Sequence, residues 1–137
     1  MAFEVRNINP LDLQPRKAIG VQIPFESPAV FVSNYQTKDA IKNNLINYFL
    51  TGQGERYLNV SFGSGIRNLL FEQITEQVVE ELEDRIRTEI ALNFSKVEVK
   101  TLVVEPQPDR NQVTIYFTYS IIGTGLPSAR ACFITFL

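Results

Sequence analysis

Histidine is absent from these 137 residues and cysteine occurs once. The missing imidazole removes the side chain best suited to proton transfer near neutral pH, and with it the commonest metal ligand. Triads built on histidine and mixed His-Cys metal sites are excluded together. A single thiol, Cys132, makes neither an intramolecular disulfide nor a zinc or iron-sulfur cluster within one chain. Long apolar runs are lacking too: no stretch approaches the roughly 18 residues of a membrane span. The first ten residues carry Glu4, Arg6 and Pro10 in place of the apolar run of a secretory signal. Synthesis and folding in a cytoplasm, without a membrane partner, is the expectation. Positive charge is also not in excess. Thirteen basic against fifteen acidic residues give a net charge of -2, so no field is available to hold a phosphate backbone and no nucleic-acid partner is expected. Neither GxxxxGK[ST] nor GxGxxG occurs, and Gly63-Ser64-Gly65, with no lysine behind it, reads as a turn. No cofactor is expected.

What is present is the balance of a globular domain, with 45% apolar and 20% charged residues, in a length that suits one core. Residues 1–17 hold Pro10 and Pro15 and no periodicity, and read as an extended arm. Residues 18–137 form the single domain. Ala18 to Phe25 resembles a short strand broken at Pro24, and Ala29 to Val32 a second edge piece. Thr37 is the expected N-cap of a helix, with Asp39 in the first turn. Ile41, Leu45, Tyr48 and Phe49 form its apolar face, with Lys42, Asn43 and Asn47 largely off it. Gly52 and Gly54 are its expected stops, through a left-handed C-terminal turn.

Beyond the loop 54–65, residues 66–94 hold neither glycine nor proline, and predict helix interrupted near 73–75. Ile74, Val78, Leu82, Ile86, Ile90 and Phe94 recur every four residues, which on a straight helix turns the stripe by about 40° per step. Either the two ends of this helix meet different partners, or one core wraps around it. From Lys96 the period becomes two. Val97 and Val99 begin a strand that runs into the turn 105–109. Val113, Ile115, Phe117, Tyr119 and Ile121 then mark one face of the clearest strand, with Thr114, Tyr116, Thr118 and Ser120 on the other. Ala129 to Leu137 is apolar on both faces. Such a strand fits inside its own sheet or against another chain by strand addition. Cys132 reads as a small apolar side chain. The class is α+β, with two main helical regions and a mostly antiparallel C-terminal sheet.

Leu50-Thr51-Gly52-Gln53-Gly54-Glu55-Arg56, followed by Phe62-Gly63, resembles the signature of the gene product 25-like baseplate wedge proteins of T4-like contractile phages. That family also takes in pyocin and type VI secretion baseplate components. The likeness runs upstream through Ile19-Gly20, Ile23-Pro24-Phe25 and Ala40-Ile41…Asn44, and downstream to Leu70-Phe71-Glu72. Where the family usually has proline before Phe-Gly, this chain has Val60-Ser61. The resemblance implies a non-enzymatic virion protein of the tail baseplate, assembled in the host cytoplasm. Its implied partners are other wedge proteins, the tail sheath protein, and tube or hub proteins. It implies that Gly54, Glu55, Arg56, Phe62 and Gly63 help join wedges into a core bundle. It also implies a C-terminal β region like the strand-exchanging domain of sheath proteins, which makes Ala129, Ala131, Phe133, Ile134 and Phe136 candidate partner-binding residues. The alternative is a cofactor-free peptidoglycan hydrolase with Glu55 as acid and Glu72 or Asp39 as second carboxylate, which needs the pair about 5 to 10 Å apart. A third reading is a ligand-binding module with a sizeable internal pocket.

Overall fold

The computed structural model describes residues 8, 10–14, 16–23, 25, 28, 31–69, 71–110 and 112–123, and the backbone of 129–136. Leu70, Pro24, Ala29, Leu137 and the side chains of the last strand, Cys132 among them, lie outside the described residues. So does the expected two-faced apolar character of that strand.

A short 3-10 helix, Pro10–Leu13, leads to a two-stranded ribbon of β1 (Gly20–Val21) and β2 (Ser33–Asn34). The second strand lies just past the apolar run expected to form it. Helix α1 spans Thr37–Leu50. Thr37 is its first helical residue and not its cap; Gln36 holds that position without a side-chain bond. The orphan amide of Thr37 is met instead by Asp12, whose Oδ1 accepts from Thr37 N and from Thr37 Oγ1, both at 2.7 Å. A carboxylate from the preceding segment thus sits at the positive end of the helix, where an anion is stabilised.

The C-terminal end of α1 also departs from expectation. Thr51 ends the helix in an extended conformation (φ -83°, ψ 128°), with its amide and its hydroxyl both on Asn47 O. No left-handed glycine closes it. Asn43, expected off the core face, is buried and bonded to the segment just after β1: Asn43 Oδ1 accepts from Ile23 N at 3.0 Å, and its Nδ2 donates to Asp39 O.

Helical structure resumes as α2 (Ile66–Leu69) and α3 (Glu76–Asn93), so the interruption includes the expected residues 73–75 but opens earlier, where α2 ends at Leu69. Thr75 caps α3 by accepting from Val78 N. Leu82, Ile86 and Ile90 are buried, and Val78 and Phe94 pack against the same core. Ile74 precedes the helix and Phe94 follows it. The helical stripe is therefore Val78 to Ile90, turning by only about 120°, and one core wraps around it.

Strands β3 (Val97–Gln107), β4 (Gln112–Ile121) and β5 (Ala129–Phe136) make an antiparallel sheet in the order β3-β4-β5, with a 3-10 turn, Pro108–Arg110, between the first two. Strand β3 is longer than the alternation predicted, because Pro106 and Gln107 still pair with Val113 and Gln112. An irregularity between Val99 and Thr101 inserts Lys100. This bulge resets the phase, so that Val97 and Val99 before it and Leu102 and Val104 after it all face the helices. Every odd residue of β4 from Val113 to Ile121 is buried. Phe117 meets Phe49 edge-on at 5.3 Å between centroids, which seats α1 on the middle strand. Each large side chain enclosed this way contributes about 1.5–3 kcal/mol.

Candidate functional site

Between α1 and α2 the chain makes a loop of short backbone returns. Gly54 N donates to Val60 O at 2.9 Å and Phe62 N to Asn59 O at 3.1 Å. The side chains of the expected recognition pair bind the loop itself. Glu55 Oε2 accepts from Gly52 N at 2.9 Å, and Glu55 Oε1 lies 4.0 Å from Arg67 Nη1. Arg56 lies over Phe62, its Cζ 4.0 Å from the ring centroid, where the ring's negative face attracts the cation. Phe62 is buried and stands edge-on to Tyr48 at 5.3 Å.

Gly63 has φ +133°, and a Cβ there would lie 2.7 Å from Thr51 O and 2.8 Å from Gly52 O. Only glycine fits so close to another backbone at that angle. The next residue, Ser64, is fully buried; its hydroxyl donates to Phe49 O and its carbonyl accepts from Arg85 Nη2 at 3.0 Å. Arg85 also reaches Glu89 Oε1 at 3.9 Å, and Glu89 Oε2 accepts the Tyr48 hydroxyl at 2.6 Å. Burial, and then the Glu89 carboxylate, push the Tyr48 phenol far above its ordinary range. A buried aromatic and a chain of charge-assisted bonds therefore fasten the base of the loop to α3.

The five loop residues singled out from sequence thus divide. Phe62 and Gly63 lie inside the chain's own packing, while Gly54, Glu55 and Arg56 are exposed. Outermost are Tyr57 and Leu58, 94% and 96% exposed, with Val60 beside them. Sequence reasoning missed these three. Their signal was present, in apolar residues at the centre of a glycine-bounded polar loop, but no period marks which way they point.

The second candidate surface is the sheet edge. Val104 N points away from β4, since it donates to Glu83 Oε1 at 2.8 Å. Ile115, opposite Val104, therefore turns its own N–H and C=O toward Ile134 on β5. By the same alternation, the backbone groups of Phe133 and Thr135 face outward from the sheet's end, while Ala131 falls in a register irregularity between Cys132 and Ala129. Ala129, Ile134 and Phe136 are in the same strand; how the side chains of β5 are packed lies outside the described residues.

Among the described residues, no group of three or more His, Cys, Asp or Glu is placed to hold a metal ion. Also among them, no helix is long and apolar enough to cross a membrane.

These elements make a small α+β fold with a braced, apolar-tipped loop and a sheet whose order ends at β5. The chain belongs to the family of the baseplate wedge protein gp25, whose model matches residues 35–125, more than half of the chain. A comparison with curated proteins finds no match. Among solved structures, a chain of the anti-feeding prophage baseplate is similar over 69% of this chain and 77% of its own, with a TM-score of 0.57 and 23% identity. A putative tail lysozyme from Geobacter sulfurreducens is similar over 66% of this chain and 80% of its own, with a TM-score of 0.53 and 20% identity. At these identities the likeness is one of fold. Family membership gives the chain a structural role in a phage-tail-like baseplate, in association with other baseplate proteins.

Proposed function

We propose that this chain joins wedge subunits of a contractile-tail baseplate through the loop 52–63 and starts the sheath by lending the outer edge of β5 to a strand of the first sheath subunits. The observation that carries the reading is the position of β5. It ends the sheet order and contains no proline. Ala129, Ala131, Phe133, Ile134 and Phe136 then form the sheath-facing strand, and main-chain pairing supplies the affinity. At the loop, Glu55 and Arg56 set the shape, with Gly54 giving the turn and Phe62-Gly63 the anchor. Assembly takes place in the host cytoplasm, with residues 1–17 as an arm on one domain spanning 18–137 and tube or hub proteins as further neighbours.

Deleting 129–137 tests the reading: wedges form but sheath rings fail to nucleate on them. Thr135→Pro is the milder variant, since it removes an outward N–H without touching the pairing to β4, and it too yields baseplates with little sheath. Sheathed tails of normal length from both variants would refute the proposal.

A further inference from the structure

The two ends of this sheet are not equivalent. Residues of an antiparallel strand alternate between those bonded to the neighbour and those whose N–H and C=O point away. Beyond the Lys100 bulge, the outward positions of β3 are Leu102, Val104 and Pro106, because Val104 is seen to point outward. Of these three, Pro106 has no N–H and the Val104 N–H is held by the Glu83 carboxylate at 2.8 Å. Beside them lies a groove of about 350 Å³ lined by Ile74, Val79 and Pro106 and by Glu76, Glu80 and Glu83. An approaching strand would find one free amide of three and three carboxylates next to its own carbonyls. Proline and inward-reaching charge are devices that close a sheet edge. Strand β5 contains no proline, and its outward Phe133 and Thr135 keep their N–H.

We infer that Glu83, with Pro106, makes the sheet one-edged: β3 is shut to strand addition, so a partner's extended strand is accepted on β5 alone. Glu83 is a specificity-determining residue that acts by occupying a backbone donor. Its side chain reaches from α3 around the rim of the helix-sheet contact, where its neighbour Leu82 is buried. The inference rests on the proposed strand pairing at β5 for its purpose, but the closure of β3 is testable on the isolated chain.

Amide exchange at Val104 should quicken by about tenfold or more in Glu83→Ala, and stay near wild type in Glu83→Gln, which keeps an acceptor oxygen. The double variant Glu83→Ala/Pro106→Ala should then associate through β3. With Cys132→Ser as background and a spin label on Thr101→Cys, concentration-dependent label-to-label broadening should appear in the double variant and not in the wild-type or Glu83→Gln chains. Exchange at β4 amides reports that the fold is kept. Should the double variant not fold, Glu83→Ala alone gives the exchange result. An unchanged Val104 rate in Glu83→Ala, or a folded double variant without broadening, overturns the inference. Sheath nucleation that survives loss of 129–137 would sink the β5 reading and leave these outcomes untouched.

Discussion

Tyr48, fully buried on α1, donates its hydroxyl to Glu89 of α3 at 2.6 Å, a polar link between the two long helices made by the same side chain that packs against the loop's anchor, Phe62. Tyr48→Phe keeps the ring contacts and removes the bond, leaving Glu89 with Arg85 and Gln53. Unfolding free energy at neutral pH should fall by about 2 kcal/mol, the usual cost for a bond to a charged group. The pH dependence is more specific. Because burial and Glu89 raise the folded phenol above its unfolded value of about 10, the fold holds that proton more tightly than the unfolded chain does. The stabilisation is complete below about pH 10 and is lost as the pH rises beyond it. Urea midpoints taken from about pH 8 to about pH 11 should drop more steeply for wild type than for Tyr48→Phe; parallel curves would deny Tyr48 this role.

Asp12 and Thr37 give a second test. Asp12→Ala leaves the first amide of α1 without its acceptor and should cost about 1 kcal/mol, the usual price of a lost cap. Asp12→Asn keeps an acceptor and should cost less. Thr37 amide exchange, read alongside thermal unfolding, separates a local effect at the helix start from a general one. Equal exchange in all three chains would show that Asp12 is not the cap in solution.

Gly63 and Gly54 both have positive φ, yet they should respond differently to alanine. At Gly54 a Cβ meets nothing within 4 Å, so Gly54→Ala carries only the left-handed backbone cost of about 1–2 kcal/mol. At Gly63 the Cβ strikes two carbonyl oxygens as well, and the loss should exceed that by about 2 kcal/mol or more. Chemical denaturation of the two variants decides it. Similar losses would mean the Gly63 turn relaxes easily.

These contrasts also mark how far the sequence can be read. Strand β4 was legible residue by residue because its alternation is local and its buried face is continuous. The Lys100 bulge was not, since a lysine between valine and threonine looks like any exposed strand residue. The Asp12 cap joins positions 25 apart, and no periodicity reports a contact of that kind. At the loop, the glycines and the Glu-Arg pair stood out. Their roles depend on Phe62 lying under Arg56 and Gly52 facing Glu55, which tertiary packing decides.

That packing shifts the expected contact surface of the loop from Glu55 and Arg56 to Tyr57 and Leu58. Both apolar side chains are almost fully exposed, so Tyr57→Ala and Leu58→Asp should leave isolated stability within about 0.5 kcal/mol of wild type. Both should nevertheless reduce recovery of complete wedges in a pull-down from cells making all wedge proteins. Arg56→Ala should do the same at a stability cost of about 0.5–1 kcal/mol, from the lost stacking on Phe62. Glu55→Gln serves as the contrast, because its carboxamide oxygen still accepts from Gly52 N and the loop keeps its shape. Wedge yield should then be normal, and cell-wall cleavage by purified tails unchanged. Loss of wall cleavage in Glu55→Gln would instead favour the hydrolase alternative. Wild-type wedge yields from Leu58→Asp and Arg56→Ala together would remove the loop from assembly.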